Sequence, residues 1–252
     1  MTNKNYHNQV VWIIGASSGI GAALAKELAQ RGAKLALSAR RKDTLEQLKS
    51  ELGESHKIFA LDVTDAELVR RTAQAIRAAF DRIDRVVFLS AAYQPMNVDE
   101  LDLHMTRQMV DVNLMGAFYV VHAVLPIFKE QQDGQLTLCG SVAGYTGLPN
   151  GQPYSATKAA LINLAESLKA ELPSTIDVKL ISPGFVKSEL TDKNDFKMPM
   201  MISSEKAAIY IADGLLRRNF EVHFPKGFTV WLKLLRLLPY IIAFSITKRF
   251  KL

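Results

Sequence analysis

A doubly wound α/β domain built on a parallel seven-stranded sheet is what this sequence predicts. Three observations carry the prediction. Short β-branched and apolar runs alternate with longer amphipathic stretches; a glycine-rich turn, Gly15-Ala16-Ser17-Ser18-Gly19-Ile20-Gly21, follows the first apolar run; and no Pro- or Gly/Ser-rich linker or fixed-period repeat divides the 252 residues. The strands are expected at Val10–Ile14, Lys34–Ser38, Lys57–Leu61, Arg85–Leu89, Gln135–Cys139, Ile176–Ile181 and Glu221–Phe224. Helices are expected near Gly19–Arg31, Thr44–Leu52, Ala66–Phe80, Met105–Lys129, Tyr154–Leu172 and Ser204–Arg217, covering both faces of a Rossmann-type sheet. The expected division is a nucleotide-binding catalytic domain over residues 1–225 and a hydrophobic, basic tail over 226–252.

Val10–Ile14 is apolar enough for a central buried strand, and the turn after it spaces its glycines as Gly-x-x-x-Gly-x-Gly. Glycines serve where backbone must bend tightly, approach a phosphate or let helix and strand pack closely, and the helix that follows aims its N–H groups at an anion. The spacing also fits a tight βα turn that holds nothing. The second strand ends Ser38-Ala39-Arg40-Arg41, without the acidic residue that would bind adenosine ribose hydroxyls. A guanidinium there suits a 2′-phosphate, so Arg40 points to NADP(H); Arg41 either shares that role or solvates the loop. Asp62, in Leu61-Asp62-Val63, can accept from an adenine amino group or close an Asx turn before Thr64.

Reducing a carbonyl by hydride leaves an alkoxide that needs a proton, and a free tyrosine, with a pKa of about 10, is poorly matched to neutral pH. Tyr154 and Lys158 stand four apart, on one helix face, so the ammonium is expected to pull the phenol toward the working range. Ser141, just past a buried strand, can hold the substrate oxygen.

Gly15, Gly19, Gly21, Asp62, Asn113 in Asn-Leu-Met-Gly, Ser141 thirteen residues before Tyr154, Lys158 and Pro183-Gly184 occur in an order that resembles the short-chain dehydrogenase/reductase family, in its classical branch, over about residues 9–190. The resemblance implies an oxidoreductase with Asn113, Ser141, Tyr154 and Lys158 as catalytic residues, Asn113 supporting a water that relays protons through Lys158. It also implies that Ser17, Ser18, Ile20, Val63, Ala91, Ala92, Gly184, Val186 and Ser188 border the dinucleotide, with Lys158 also on the nicotinamide ribose. Ser17 and Arg40 match members that prefer NADP. Where the family usually has Asn-Asn-Ala-Gly, this chain reads Ser90-Ala91-Ala92-Tyr93, so a bulky ring replaces a glycine beside the cofactor.

The segment after Pro183-Gly184 carries Phe185, Leu190, Phe196, Met198, Met200 and Met201, which suit an apolar carbonyl or alcohol substrate or simply pack a lid. Reduction of acyl-chain ketones in lipid synthesis and a non-catalytic dinucleotide sensor are the alternatives. Net charge is +6, concentrated at the C-terminus: from Arg217 onward there are eight basic residues and one acidic, Glu221. That distribution argues against a nucleic-acid surface. On a helix, Thr229, Lys233, Arg236 and Tyr240 would form a polar stripe opposite a broad apolar face. Two readings follow: a helix in a membrane interface with its basic groups toward anionic headgroups, or a tail packed on the body or a second subunit. The polar N-terminus and the single Cys139 fit a cytoplasmic chain without disulfides, possessing no metal-ligand spacing among its five histidines. A homodimer through the helices near Met105–Lys129 and Tyr154–Leu172 is expected by the family resemblance.

Overall fold

The computed structural model describes residues 5–196 and 198–248. Seven strands lie in one parallel sheet, in the order β3-β2-β1-β4-β5-β6-β7. They are β1 (Val10–Ile14), β2 (Lys34–Ala39), β3 (Lys57–Ala60), β4 (Arg85–Phe88), β5 (Gly134–Cys139), β6 (Ile176–Pro183) and β7 (Glu221–Phe224). The chain winds outward from β1 in one direction and then returns to start β4 on its other side, so β1 and β4 are neighbours, with Ile14 opposite Phe88. Such a reversal leaves a crevice at the carboxyl ends of the two strands, since their connections leave toward opposite faces.

β1 shows why the sequence reads so clearly. Val10, Trp12 and Ile14 pack into one core while Val11 and Ile13 pack into the other. The first core is closed by α3 (Ala66–Phe80), α5 (Gly116–Gln131) and α6 (Tyr154–Glu171); the second by α1 (Gly19–Gln30), α2 (Lys42–Leu52) and α7 (Ser204–Leu215). Both faces being covered, the central strands are apolar without alternation.

The long helix expected near Met105–Lys129 is divided. α4 (Leu103–Val110) passes into a π turn over Asp111–Met115 before α5 begins. This whole run is long and apolar enough to cross a membrane by length and composition. Its apolar side chains nevertheless fill the core, Ala117, Val120, Val124 and Phe128 among them.

The tail forms two helices, α8 (Lys226–Arg236) and α9 (Tyr240–Thr247), separated at Pro239, where the ring forbids an uninterrupted helix. Their orientation corrects the expected stripe. Thr229 is fully buried against the His223 ring, 2.6 Å away, and Lys233 pairs with Glu221 of β7. The cause is Glu221 itself: burial pushes its carboxyl up, but hydrogen bonds from Lys233 and Tyr145 outweigh that and hold it below the usual range. The body thus claims the polar stripe at Thr229 and Lys233, while Tyr240 faces solvent. Arg249 and Lys251 lie outside the described residues.

Candidate active site

A cleft of about 520 Å³ opens at the carboxyl ends of β1 and β4. At one end stand Gly15 to Gly21, Arg40, Asp62 and Val63; at the other Ser141, Tyr154, Lys158, Pro183, Gly184, Val186 and Ser188, with Ala91 and Ala92 between them. Residues as far apart in sequence as Gly15 and Ser188 are therefore brought to one surface by the strand ends.

The glycine turn has the form of a cradle. Gly15 has φ +93°, and a Cβ there would come 2.7 Å from the backbone nitrogen of Ser90. A Cβ on Gly21 would lie 2.0 Å from the Gly15 carbonyl oxygen, so this glycine lets α1 close onto the turn. Ser18 opens α1 without a side-chain cap, and the first turn holds no acidic residue. Its first N–H groups, free of a side-chain cap, are suited to an anion.

Arg41 lines the cleft beside Arg40. Its guanidinium reaches Ser17 Oγ at 3.4 Å and Glu189 at 3.5 Å. Asp62 closes the Asx turn, its Oδ1 accepting from the Thr64 backbone N–H at 3.0 Å and hydroxyl at 2.8 Å, and it also lines the cleft.

At the other end, α6 opens at Tyr154 and presents Lys158 one turn on. Lys158 Nζ donates to the Cys139 carbonyl at 2.8 Å and stands 5.4 Å from the centre of the Tyr154 ring. Burial drives Tyr154 well above the usual tyrosine range, with a hydrogen bond from Ser141 opposing it, and burial also lowers Lys158. Burial, rather than the ammonium, sets the direction of both shifts. Desolvation disfavours both charged forms at once, and the phenol keeps its proton.

Asn113 stands apart from the rest. It sits in the π turn, fully buried, and is not among the residues lining the cleft. Its Oδ1 accepts from the Ala92 N–H at 2.6 Å, while Nδ2 donates to the Ala92 carbonyl at 3.0 Å and to Thr157 Oγ1 at 3.1 Å. Both amide hydrogens are engaged, and the side chain clamps the loop that carries Ala91 and Ala92 to the helix that carries Lys158. A π turn supplies the offset that aims it there.

Tyr93, the departure from the family pattern, closes one side. Its ring packs edge-on against Tyr154 with centres 4.9 Å apart, and its hydroxyl donates to Asn194 Oδ1 at 2.6 Å. Lys193 Nζ donates to the Tyr93 carbonyl at 2.8 Å. Beyond it lies a second, apolar cavity of about 170 Å³, walled by Phe185, Leu190, Phe196, Phe228 and Leu232 and sharing Ser141 and Tyr154 with the cleft. Met198, Met200 and Met201 are not among its described walls; Met200 and Met201 are exposed instead. Phe228 and Leu232 come from α8 and carry no signal in sequence beyond helical spacing, as the Cys139 carbonyl carries none.

The profile of the short chain dehydrogenase family matches residues 9–198. The protein belongs to the short-chain dehydrogenase/reductase family. An uncharacterized oxidoreductase of Myxococcus xanthus is 35% identical over 243 residues, covering 95% of each chain. The 11-beta-hydroxysteroid dehydrogenase 1A of Arabidopsis thaliana is 35% identical over 199 residues, 77% of this chain but 57% of that longer protein. Among solved structures, a short-chain dehydrogenase/reductase from Burkholderia phymatum in complex with NAD superposes with a TM-score of 0.80 at 21% identity, over 91% of this chain and 93% of its own. This short-chain dehydrogenase/reductase is an oxidoreductase whose fold binds a nicotinamide dinucleotide. Its residues fit that group: the Gly15 cradle and the uncapped start of α1 meet a pyrophosphate, and the open cleft runs from there to Tyr154.

Proposed function

We propose that this short-chain dehydrogenase/reductase is an NADP(H)-dependent enzyme interconverting a carbonyl and an alcohol on an apolar substrate. One observation carries the reading: Ser141 and Tyr154 line both the cleft and the apolar cavity, with Lys158 beside them in the cleft. A bound dinucleotide would supply the hydride for reduction or accept it in oxidation. Ser141 holds the substrate oxygen, and Tyr154 gives the proton that the oxygen requires as the carbon is reduced. Burial keeps the phenol protonated, as a proton donor requires. Lys158, steadied by the Cys139 carbonyl, would hold the nicotinamide ribose and act on the phenol of Tyr154, and Asn113 acts as a positioning residue by fixing Ala92.

The preference for NADP(H) rests on Arg40 and Arg41, two exposed guanidiniums at the end of β2 with Ser17 opposite. Asp62 Oδ2 is the oxygen left for an adenine amino group. The exposed, small-residue face of α6 at Ala156 and Ala159 supports pairing of two copies there, as in similar family members. Titration of the purified protein with NADPH and NADH, followed by nicotinamide fluorescence, tests the cofactor half. NADPH should bind at least about tenfold more tightly, and Arg40→Ala should remove most of that margin. Equal affinities in the unaltered protein would sink the preference. Oxidation of NADPH by a panel of apolar ketones and aldehydes tests the substrate half.

A further inference from the structure

The tail is an amphipathic pair of helices turned inside out relative to solvent. Its polar residues Thr229 and Lys233 face the body, and its outer surface carries Val230, Leu234, Leu237, Ile241, Ile242 and Phe244. Leu237 and Ile241 are 80% and 84% exposed. Apolar side chains exposed at helical spacing along α8 to its C-terminal cap (Val230, Leu234, Leu237) and again on α9 mark something that covers them.

Charge decides what. Beyond Glu221 the sequence has no acidic residue, and Lys226, Arg236 and Lys248 are exposed around the apolar face. In a two-fold contact between copies the same patch would meet itself, setting these cations against their equivalents with no carboxylate from the tail to pair them. An anionic bilayer meets both demands, taking the apolar face among its acyl chains and the cations among its headgroups. The inner side of α8 adds a second fact. Phe228 and Leu232, four residues apart, form the wall of the apolar cavity beside Tyr154 and Ser141. One helix, about 10 Å thick, therefore separates the exposed face from the reacting end of the cleft.

We propose that α8 and α9 dock on an anionic membrane surface through this outward face, and that the substrate is a lipophilic carbonyl compound dissolved in that bilayer, reaching the cavity past α8. The docking half stands on the tail alone; the substrate half rests on the carbonyl-reductase reading above.

Flotation of the full-length protein with vesicles tests the docking. The protein should rise with phosphatidylcholine vesicles containing roughly 30% phosphatidylglycerol and far less with phosphatidylcholine alone. Trp12 is fully buried, so a blue shift of tryptophan emission on adding vesicles reports Trp231 on α8. The variant L234S/L237S/I241S, all at exposed positions, should partition on the order of 100-fold more weakly while its circular dichroism is unchanged. If the unaltered protein stays below both kinds of vesicle, or is a dimer that the variant converts to monomer, docking is overturned. For the substrate half, the variant should lose turnover of a long-chain ketone held in vesicles and keep that of a short water-soluble ketone. Equal retention of both overturns bilayer delivery. If the unaltered protein turns over neither, the carbonyl reading and the delivery half fall together, while flotation still reports docking.

Discussion

Buried cations occupy both ends of the sheet, and they are treated in opposite ways. At the amino ends of the strands, Arg85 donates to Gln9 Oε1 at 2.7 Å, to Gln135 Oε1 and to the Leu215 carbonyl at 3.0 Å. Lys179, fully buried, donates to the carbonyls of Arg217 and Asn219 and lies 3.4 Å from Asp177. At the carboxyl ends, Lys158 is as deeply buried yet makes one hydrogen bond among the described residues, to the Cys139 carbonyl. A buried ammonium with three donors and one acceptor costs free energy that a purely structural position would not retain. The satisfied end is built for cohesion; the other holds donor capacity for a ligand.

Tyr154→Phe removes the hydroxyl proposed as the proton donor and carries the largest expected effect. Turnover should fall by roughly 10²–10⁴-fold with dinucleotide affinity nearly unchanged, read by NADPH oxidation beside a fluorescence titration. Turnover within a few-fold of the unaltered enzyme would remove Tyr154 from the mechanism.

The comparison itself breaks or holds on a matched pair. Arg85→Met leaves Gln9 and Gln135 without their donor and should cost about 3 kcal/mol or more in urea unfolding, with kcat per folded molecule preserved. Lys158→Met should change stability by no more than about 1 kcal/mol and abolish activity. Equal stability losses would mean that the two ends do not differ in kind. The second variant has a pH signature. Burial lowers Lys158 in the folded protein, so between that depressed value and the ordinary lysine range the unfolded chain binds more protons. Stability of the unaltered protein therefore rises with pH across that window, and any advantage of the Met variant should shrink as the pH rises toward the ordinary lysine range. An advantage that stays constant would show that Lys158 keeps its proton when folded.

Tyr93→Gly sharpens the boundary between the two roles, because Tyr93 both packs on Tyr154 and ties Asn194 of the substrate segment. Losing the tie should raise KM for an apolar ketone several-fold, with a smaller change in kcat. A selective fall in kcat would instead assign the ring to holding Tyr154.

Most of the fold was legible because a doubly covered parallel sheet writes itself as apolar runs of strand length: β1, β7 and α3 fall where the sequence placed them. The cleft lining was legible for a similar reason, since strand ends fix where Gly15, Arg40, Asp62, Ser141 and Pro183 emerge. What sequence did not supply was direction. The spacing of Thr229 and Lys233 defines a stripe but not which side meets the protein; that was set by Glu221 on a strand edge. Asn113 carried a family role, while its partners Ala92 and Thr157 lie 21 and 44 positions away and leave no local trace. The effect of Lys158 on Tyr154 was judged from spacing, and burial, which a sequence does not display, reversed the balance.

The inward side of α8 also bears on how the chain can be shortened. Removing residues from 226 onward to make the protein easier to handle would take Leu232, Leu235 and Ala243 out of the main core and the Phe228 wall out of the apolar cavity. The greasy exterior and the interior filling belong to the same turns of helix. Solubility here is a matter for surface substitutions at Leu237 and Ile241, not for trimming.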